Sequence, residues 1–454
     1  MRAVHGIHRG ATVARAAGPS SSRRESWLFR VTPFSQVEVR VKSMNDIDGD
    51  IKSRRMIPCL REGHRVRAIA TLSAVGLAVY AFVLGTSTRM EPHAVWAMFA
   101  FVGYCGCAGM LLRRRWSIGA IAAVSAGFCA VLPGVALIVR GLSQHEVGIV
   151  RDGAIRALAS ASPYVTDPAV VDDVFPYFPL MSVFGIPGAA FGENPLGDPR
   201  ISFTLFFAVV TWVSLRRLVD TKIAVRAEML MIACPLVAIP IATGGVDLPV
   251  AALAGLAVIT LWTGEYRLNA IVVGVGCAIK FTFWPLAAMM IVVQVRRGRR
   301  AEIRRWAAVV AAIVGAAVLP AVLVDPRGFA RSAIEFPLGL SAIESPAGAS
   351  ALGGALAEKG FLGYAGIVTS LLASAVAITW IALAKRHLGL TDILLLAAAG
   401  YTILFLVSPV SRAGYFVLPF VLGVLGVVAQ VAGSRAAEVV HPDGASLAEK
   451  GTRS

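Results

Sequence analysis

RRRWSIGAIAAVSAGFCAVLPGVALIV, residues 113–139, decides what kind of protein this is. Three arginines stand before an uncharged apolar run, 117–139, that is long enough to cross a hydrocarbon core, which takes about 20 apolar residues. Comparable runs recur at 66–86, 94–112, 201–215, 224–241, 248–262, 268–295, 306–324, 361–384, 390–407 and 413–431. The 454 residues are 57% hydrophobic and only 15% charged, whereas a soluble globular domain carries about 25% charge. Mean hydropathy is +0.72. The pattern predicts an all-α polytopic membrane protein with roughly ten to twelve membrane segments.

The net charge of +16 and the pI of about 10.2 would suggest nucleic acid in a soluble protein. Here the excess sits in short runs between apolar segments: Arg113 to Arg115, Arg216-Arg217, Arg296-Arg297, Arg299-Arg300, Arg304-Arg305 and Lys385-Arg386. That is the positive-inside pattern, and it predicts a cytoplasmic N-terminus. The basicity then reports topology and contact with anionic membrane lipids, with no nucleic-acid partner.

Working outward from 113–139, residues 1–60 are polar and aperiodic and read as a disordered cytoplasmic tail. Glu25, Glu38, Asp46, Asp48 and Asp50 argue against a transit peptide; Met44 and Met56 are alternative starts. Residues 61–116 form an N-terminal transmembrane hairpin, 117–432 the main membrane domain, and 433–454 a cytoplasmic tail. Two long outer loops are expected, 140–199 and 325–359. The run 224–241 is expected as one span. The run 268–295 has basic residues at both ends, so it reads as two short helices, 269–279 and 284–294, broken around 280–283. Backbone of that kind is tolerated at membrane depth only where it is buried or lines a cavity. The six cysteines lie mostly in apolar runs, and their spacing shows neither a zinc site nor a disulfide framework.

Crossing outward at 117–139 puts residues 152–187, DGAIRALASASPYVTDPAVVDDVFPYFPLMSVFGIP, on the extracytoplasmic face. Val147, Val150, Ala154, Leu158 and Ala161 recur at steps of three and four, giving an amphipathic helix suited to the interface plane. Ser162-Pro163 stops it. The Phe175 to Pro179 cluster of aromatics and prolines suits a break at the membrane surface.

Four ionisable residues fall on the outer side or at depth, where such groups are functional candidates. Asp152 is placed to accept a proton from an attacking sugar hydroxyl; its bland alternative is a surface pair with Arg156. Lys280 sits at the expected helix break, and a lipid phosphate would partner it; otherwise it snorkels. Arg412 follows Ser408-Pro409 at a helix start and can hold a phosphate, or serves only as an interfacial anchor. Asp247 after Gly244-Gly245 reads as a turn acid. Arg140, Arg151, Arg200 and Arg331 are outer cations against the trend, favouring a bound anion there. The sequence holds no glycine-rich phosphate loop, HExxH or nucleophile elbow. The polar segments are too short for a nucleotide-sugar domain.

The order of these features resembles glycosyltransferase family 87 of the GT-C superfamily, the polyprenol-phosphate-mannose-dependent mannosyltransferases of actinobacteria. The resemblance spans roughly 117–430 and rests on an acid after an early span, Ser162-Pro163-Tyr164 and Tyr177-Phe178-Pro179-Leu180. It continues with the Gly244 to Asp247 turn, Lys280 with Pro285, and Ser411-Arg412-x-Gly414-Tyr415. It implies a GT-C-like bundle with amphipathic helices in its outer loops. The implied reaction is inverting transfer, mannosyl in this family, from a polyprenyl-phosphate-sugar donor to a lipid or glycan acceptor of the cell envelope. Asp152 would be the general base, Lys280 and Arg412 would hold the departing phosphate, and Tyr164, Tyr177 and Asp247 would line the substrate site, with no metal or cofactor. The two spans before 113 are an addition to that pattern, and the adjacent acids Asp172-Asp173 lie late in the loop. The expected place is the plasma membrane, with an extracytoplasmic site. The rival from another class is a transporter or flippase for a lipid-linked sugar, which an inverted repeat would reveal; a third is a catalytically dead relative that serves as an assembly partner.

Overall fold

The computed structural model describes residues 51–113, 115–192, 194–343 and 350–440. The Glu344 to Pro346 end of the second outer loop lies outside them, as do 1–50 of the predicted tail and 441–454. By its packing the chain divides into two units at Leu60, and the membrane helices belong to the unit from Arg61 onward.

The described residues are all-α, as the hydropathy predicts. The N-terminal helix α1, Ile51–Ser87, starts inside the predicted tail, and α2 is Glu91–Leu112. The apolar run 117–139 is one crossing in three pieces: α3 (Ile118–Ala126), a π turn (Gly127–Val131) and α4 (Leu132–Val139). Pro133 has no N–H for the Cys129 carbonyl one turn back; the Trp96 indole donates to that carbonyl instead, at 2.7 Å.

The segment after α4 carries α5 (His145–Ser160) and the short α6 (Ile186–Phe191). Then come α7 (Pro199–Arg216), α8 (Thr221–Ile232), α9 (Pro235–Thr243), α10 (Asp247–Thr263), α11 (Tyr266–Ile279) and α12 (Trp284–Arg296). The predicted single span 224–241 is instead the pair α8 and α9, bent by 72°. Cys234 is extended, with ψ 135°, because it precedes Pro235, and a residue before proline is driven out of the helical region. The predicted break at 280–283 is present, a 3-10 turn over Phe281–Phe283 between α11 and α12.

The chain ends with α13 (Arg300–Val324), α14 (Pro326–Phe329), α15 (Ala351–Ala357), α16 (Phe361–Ala384), α17 (Leu390–Val407) and α18 (Val417–Val440). Among the described residues seven helices are long and apolar enough to cross a membrane, eight if α8 and α9 count as one span. Four shorter apolar helical stretches accompany them, including α10, α11 and α12.

α10 forms the core. Every residue from Asp247 to Leu261 is buried, packed by α7, α11 and α18. By contrast α13 buries only Trp306 and Ala321, and its outward Leu319 and Leu323 suit a lipid-facing helix. Asn269 sits at depth without cost because it donates to the Ala257 carbonyl at 2.7 Å and accepts from the Trp306 indole at 2.7 Å.

Candidate active site

The site is assembled where α5, the start of α10, the α11–α12 break and the start of α18 meet. Glycines let α5 come close. A methyl group on Gly244 would strike Val147, one on Gly153 would strike the Phe175 ring, and one on Gly185 would strike the Val150 carbonyl. Gly244 also needs its freedom for φ 107°, a conformation that side chains resist. The Gln144 N–H donates to the Thr243 carbonyl at 2.8 Å and pins the start of α5 beside the end of α9.

The break leaves carbonyls that lipid cannot satisfy, and the protein satisfies them. The Phe178 N–H donates to the Ile279 carbonyl at 3.0 Å, and the Tyr401 hydroxyl to the Thr282 carbonyl at 2.9 Å. Phe283 folds back over Gly276, where a methyl group would collide with its ring. The outer aromatic cluster 175–179 is thereby stitched to the break. Tyr164 serves that cluster from beneath: its hydroxyl donates to the Tyr177 carbonyl at 2.9 Å, and its ring stands edge-on to Phe175 and Phe329.

Lys280 is extended, with φ −152°, and buried. Its Nζ donates to Asp247 Oδ1 at 2.6 Å, with side-chain exposures of 9% and 7%. Asp247 is thus a buried counter-ion, a stronger role than a turn acid. Lys280 Nζ also lies 4.9 Å from the Tyr415 ring centroid and 5.5 Å from that of Tyr177, within cation–π range. The Arg412 guanidinium lies 5.4 Å from the same Tyr415 ring. One aromatic ring therefore carries both cations. Burial pushes the Tyr164 and Tyr177 phenols up, which keeps both neutral.

Arg412 pairs with Glu146, the residue that sequence reasoning missed. Glu146 is in the first turn of α5, 8% exposed, and Arg412 is 28% exposed. The signal was present: Glu146 precedes Val150 by four and Gly153 by seven, so an acid stood on the buried stripe. Of the predicted stripe, Val147, Val150 and Ala154 are buried, while Leu158 and Ala161 face out.

Asp152 is on the same helix but off that face, about 120° round from Glu146 at 3.6 residues per turn. Its side chain is 45% exposed, and it accepts from its neighbour Arg151 at 3.1 Å. Arg156 donates to the Pro163 carbonyl instead. The structure therefore brings together Lys280, Asp247, Tyr177, Tyr415, Arg412 and Glu146, with Tyr164 beneath, and leaves Asp152 outside.

The other cations expected on the outer side have partners of their own. Arg200 is held by Asp198 at 2.6 Å and by the Leu142 and Ala242 carbonyls; Arg140 pairs with Glu91 at 2.9 Å, and Arg331 with Asp167. They need no external anion. The last of these pairs joins the segments 140–199 and 325–359, as does the hydrogen bond from Thr166 to Asp325 at 2.9 Å. Among the described residues no group of three or more His, Cys, Asp or Glu is placed to hold a metal.

Among the described residues the buried hydroxyls of Thr282 and Ser411, which follow Lys280 by two positions and precede Arg412 by one, have no hydrogen-bond partner. Beside the break lies an apolar cavity of about 320 Å³ between α12, α16 and α17. Tyr401, whose hydroxyl holds the Thr282 carbonyl, is part of its wall.

A family model for glycosyltransferase family 87 matches residues 175–409. That stretch includes the aromatic cluster, Asp247 and Lys280, and leaves α5 and Arg412 on either side. Neither the curated proteins nor the solved structures contain a match.

Proposed function

The chain belongs to glycosyltransferase family 87, and from that premise we infer the reaction that this membrane glycosyltransferase performs. It moves a sugar, mannose foremost, from a polyprenyl-phosphate-sugar donor to a hydroxyl of a cell-envelope glycolipid or glycan. The site faces the extracytoplasmic side of the plasma membrane, and the N-terminus is cytoplasmic. The carrying observation is the pair of cations, the buried Lys280 and the partly buried Arg412, on the one Tyr415 ring. Two cations and the free hydroxyls of Thr282 and Ser411 suit a phosphate, because charge-assisted bonds to its oxygens outlast desolvation best. The apolar cavity beside the break supports a phosphate that carries a hydrocarbon tail.

In this reading the acceptor hydroxyl attacks the anomeric carbon from the face opposite the phosphate, and configuration inverts. The C1–O bond breaks, its electron pair goes to the phosphate, and Lys280 and Arg412 meet the added charge. The acceptor proton goes to a carboxylate of α5. We take Glu146, the buried α5 carboxylate of the cluster, as that base once its side chain has swung from Arg412 to the face opposite the phosphate. Asp152 is the second reading, favoured by its 45% exposure, which opens it to a solvent-borne acceptor.

The donor class is tested with the full chain in nanodiscs and radiolabelled mannose. Transfer is expected from citronellyl phosphate mannose and not from guanosine diphosphate mannose. Efficient transfer from the nucleotide sugar alone would refute the proposal.

A further inference from the structure

We propose that the Arg412–Glu146 ion pair is an internal stand-in for the donor phosphate: the donor takes Arg412, and the Glu146 it releases becomes the base. The inference rests on the reading of this cluster as a phosphate site.

The two ion pairs of the cluster differ in how tightly they are closed. Lys280–Asp247 is sealed, with both side chains under a tenth exposed. In Arg412–Glu146 the carboxylate is buried at 8% while the guanidinium reaches 28% exposure. Arg412 is therefore the cation that an incoming anion meets first. Its guanidinium fork fits a phosphate at least as well as a carboxylate. The four side chains already balance one another, so a phosphodiester added without rearrangement would leave an uncompensated negative charge in a buried place. Exchange of Glu146 for phosphate at Arg412 moves that charge onto the freed Glu146 carboxylate, which is relieved of it when it takes the acceptor proton.

The exchange also activates Glu146. A buried carboxylate deprived of its cation holds a proton more tightly, which is what a general base needs. The balance closes through one turnover. The acceptor O–H proton goes to Glu146, the acceptor oxygen bonds to the anomeric carbon, and the lipid phosphate leaves with the C1–O electron pair. The phosphodiester monoanion becomes a monoester dianion, held by Lys280 and Arg412. Protonated Glu146 is neutral and cannot reclaim Arg412. Only when its proton passes to the outer solvent does the pair re-form and expel the lipid phosphate. Donor must then bind before an acceptor can be deprotonated, and the acceptor is protected from idle activation.

The test measures binding of farnesyl phosphate to the full chain in nanodiscs. Removing the competing carboxylate with Glu146→Gln should tighten binding about tenfold, since breaking one charge-assisted contact is worth on the order of 1.5 kcal/mol, while transfer is lost. A Glu146 that merely props up Arg412 would give equal or weaker binding in the variant, and that result overturns the exchange. Should Glu146→Gln not fold, Glu146→Asp draws the charge back by one methylene and must also bind more tightly than wild type; equal or weaker binding again overturns it. Arg412→Gln and Lys280→Met report on the underlying reading: wild-type affinity in both would remove the phosphate site itself. Inorganic phosphate serves as the second probe. Preference for farnesyl phosphate identifies the lipid as the source, and equal affinity for the free ion would overturn the lipid assignment.

Discussion

Glu146 and Asp152 stand on one helix, less than two turns apart, and meet opposite surroundings. Glu146 is 8% exposed and tied to Arg412 across the fold. Asp152 is 45% exposed and its ion pair is with the residue beside it, Arg151. The same functional group is thus a member of a buried charge network at one position and a solvated surface acid at the other. Helical phase decides which. A shift of about 120° carries the carboxylate from the face that the glycines Gly153, Gly185 and Gly244 draw into contact to the face left open.

Three sets of variants separate the two surroundings. The largest effect is expected at Glu146. Glu146→Gln keeps the shape and removes the base, so kcat should fall by roughly 10²- to 10⁴-fold in a radiolabelled-sugar transfer assay with matched amounts of folded chain. Retained activity would break the comparison at its stronger end.

Next comes the sealed pair. Lys280→Met strands Asp247 as a buried unpaired charge and should destabilise the chain by about 3–5 kcal/mol, read as a lowered thermal-unfolding midpoint in detergent. The double variant Lys280→Met/Asp247→Leu removes both charges and should regain most of that stability, as buried pairs replaced by apolar side chains do, while transfer stays lost. Loss of transfer without loss of fold separates the role of Lys280 in chemistry from its role in packing.

The smallest effect is expected at Asp152. Its pair with Arg151 is exposed, and such pairs contribute about 0–1 kcal/mol. Asp152→Asn should leave the melting midpoint in place and transfer within about threefold of wild type. Abolished transfer with unchanged folding would reverse the comparison and return the base to Asp152.

Much of this was legible in the sequence, for physical reasons that differ by element. The membrane class follows from runs such as 117–139, because hydropathy over some 20 residues leaves few alternatives. The break at Lys280 was readable because basic residues flank 268–295 on both sides. The bend between α8 and α9 was not, since Pro235 and Pro240 in an apolar run fit a kinked span as well as a broken one. The site was half legible. Lys280, Asp247 and Arg412 stood out as charges among apolar residues, but pairing across 33 positions for Lys280 with Asp247 and 266 for Arg412 with Glu146 is a property of tertiary packing. The predicted stripe began at Val147 and left out Glu146, which stands one turn before Val150 and is buried with it.

In the proposed donor complex one phosphate lies between Lys280 and Arg412, with a freed α5 carboxylate beside the anomeric carbon. A structure of the full chain in nanodiscs with a non-hydrolysable isoprenyl phosphonate analogue of the sugar donor tests it most directly. The expected density puts phosphorus against both cations, with Glu146 released from Arg412 and turned toward the sugar. Phosphorus elsewhere in the fold, with the Arg412–Glu146 pair intact, would contradict it.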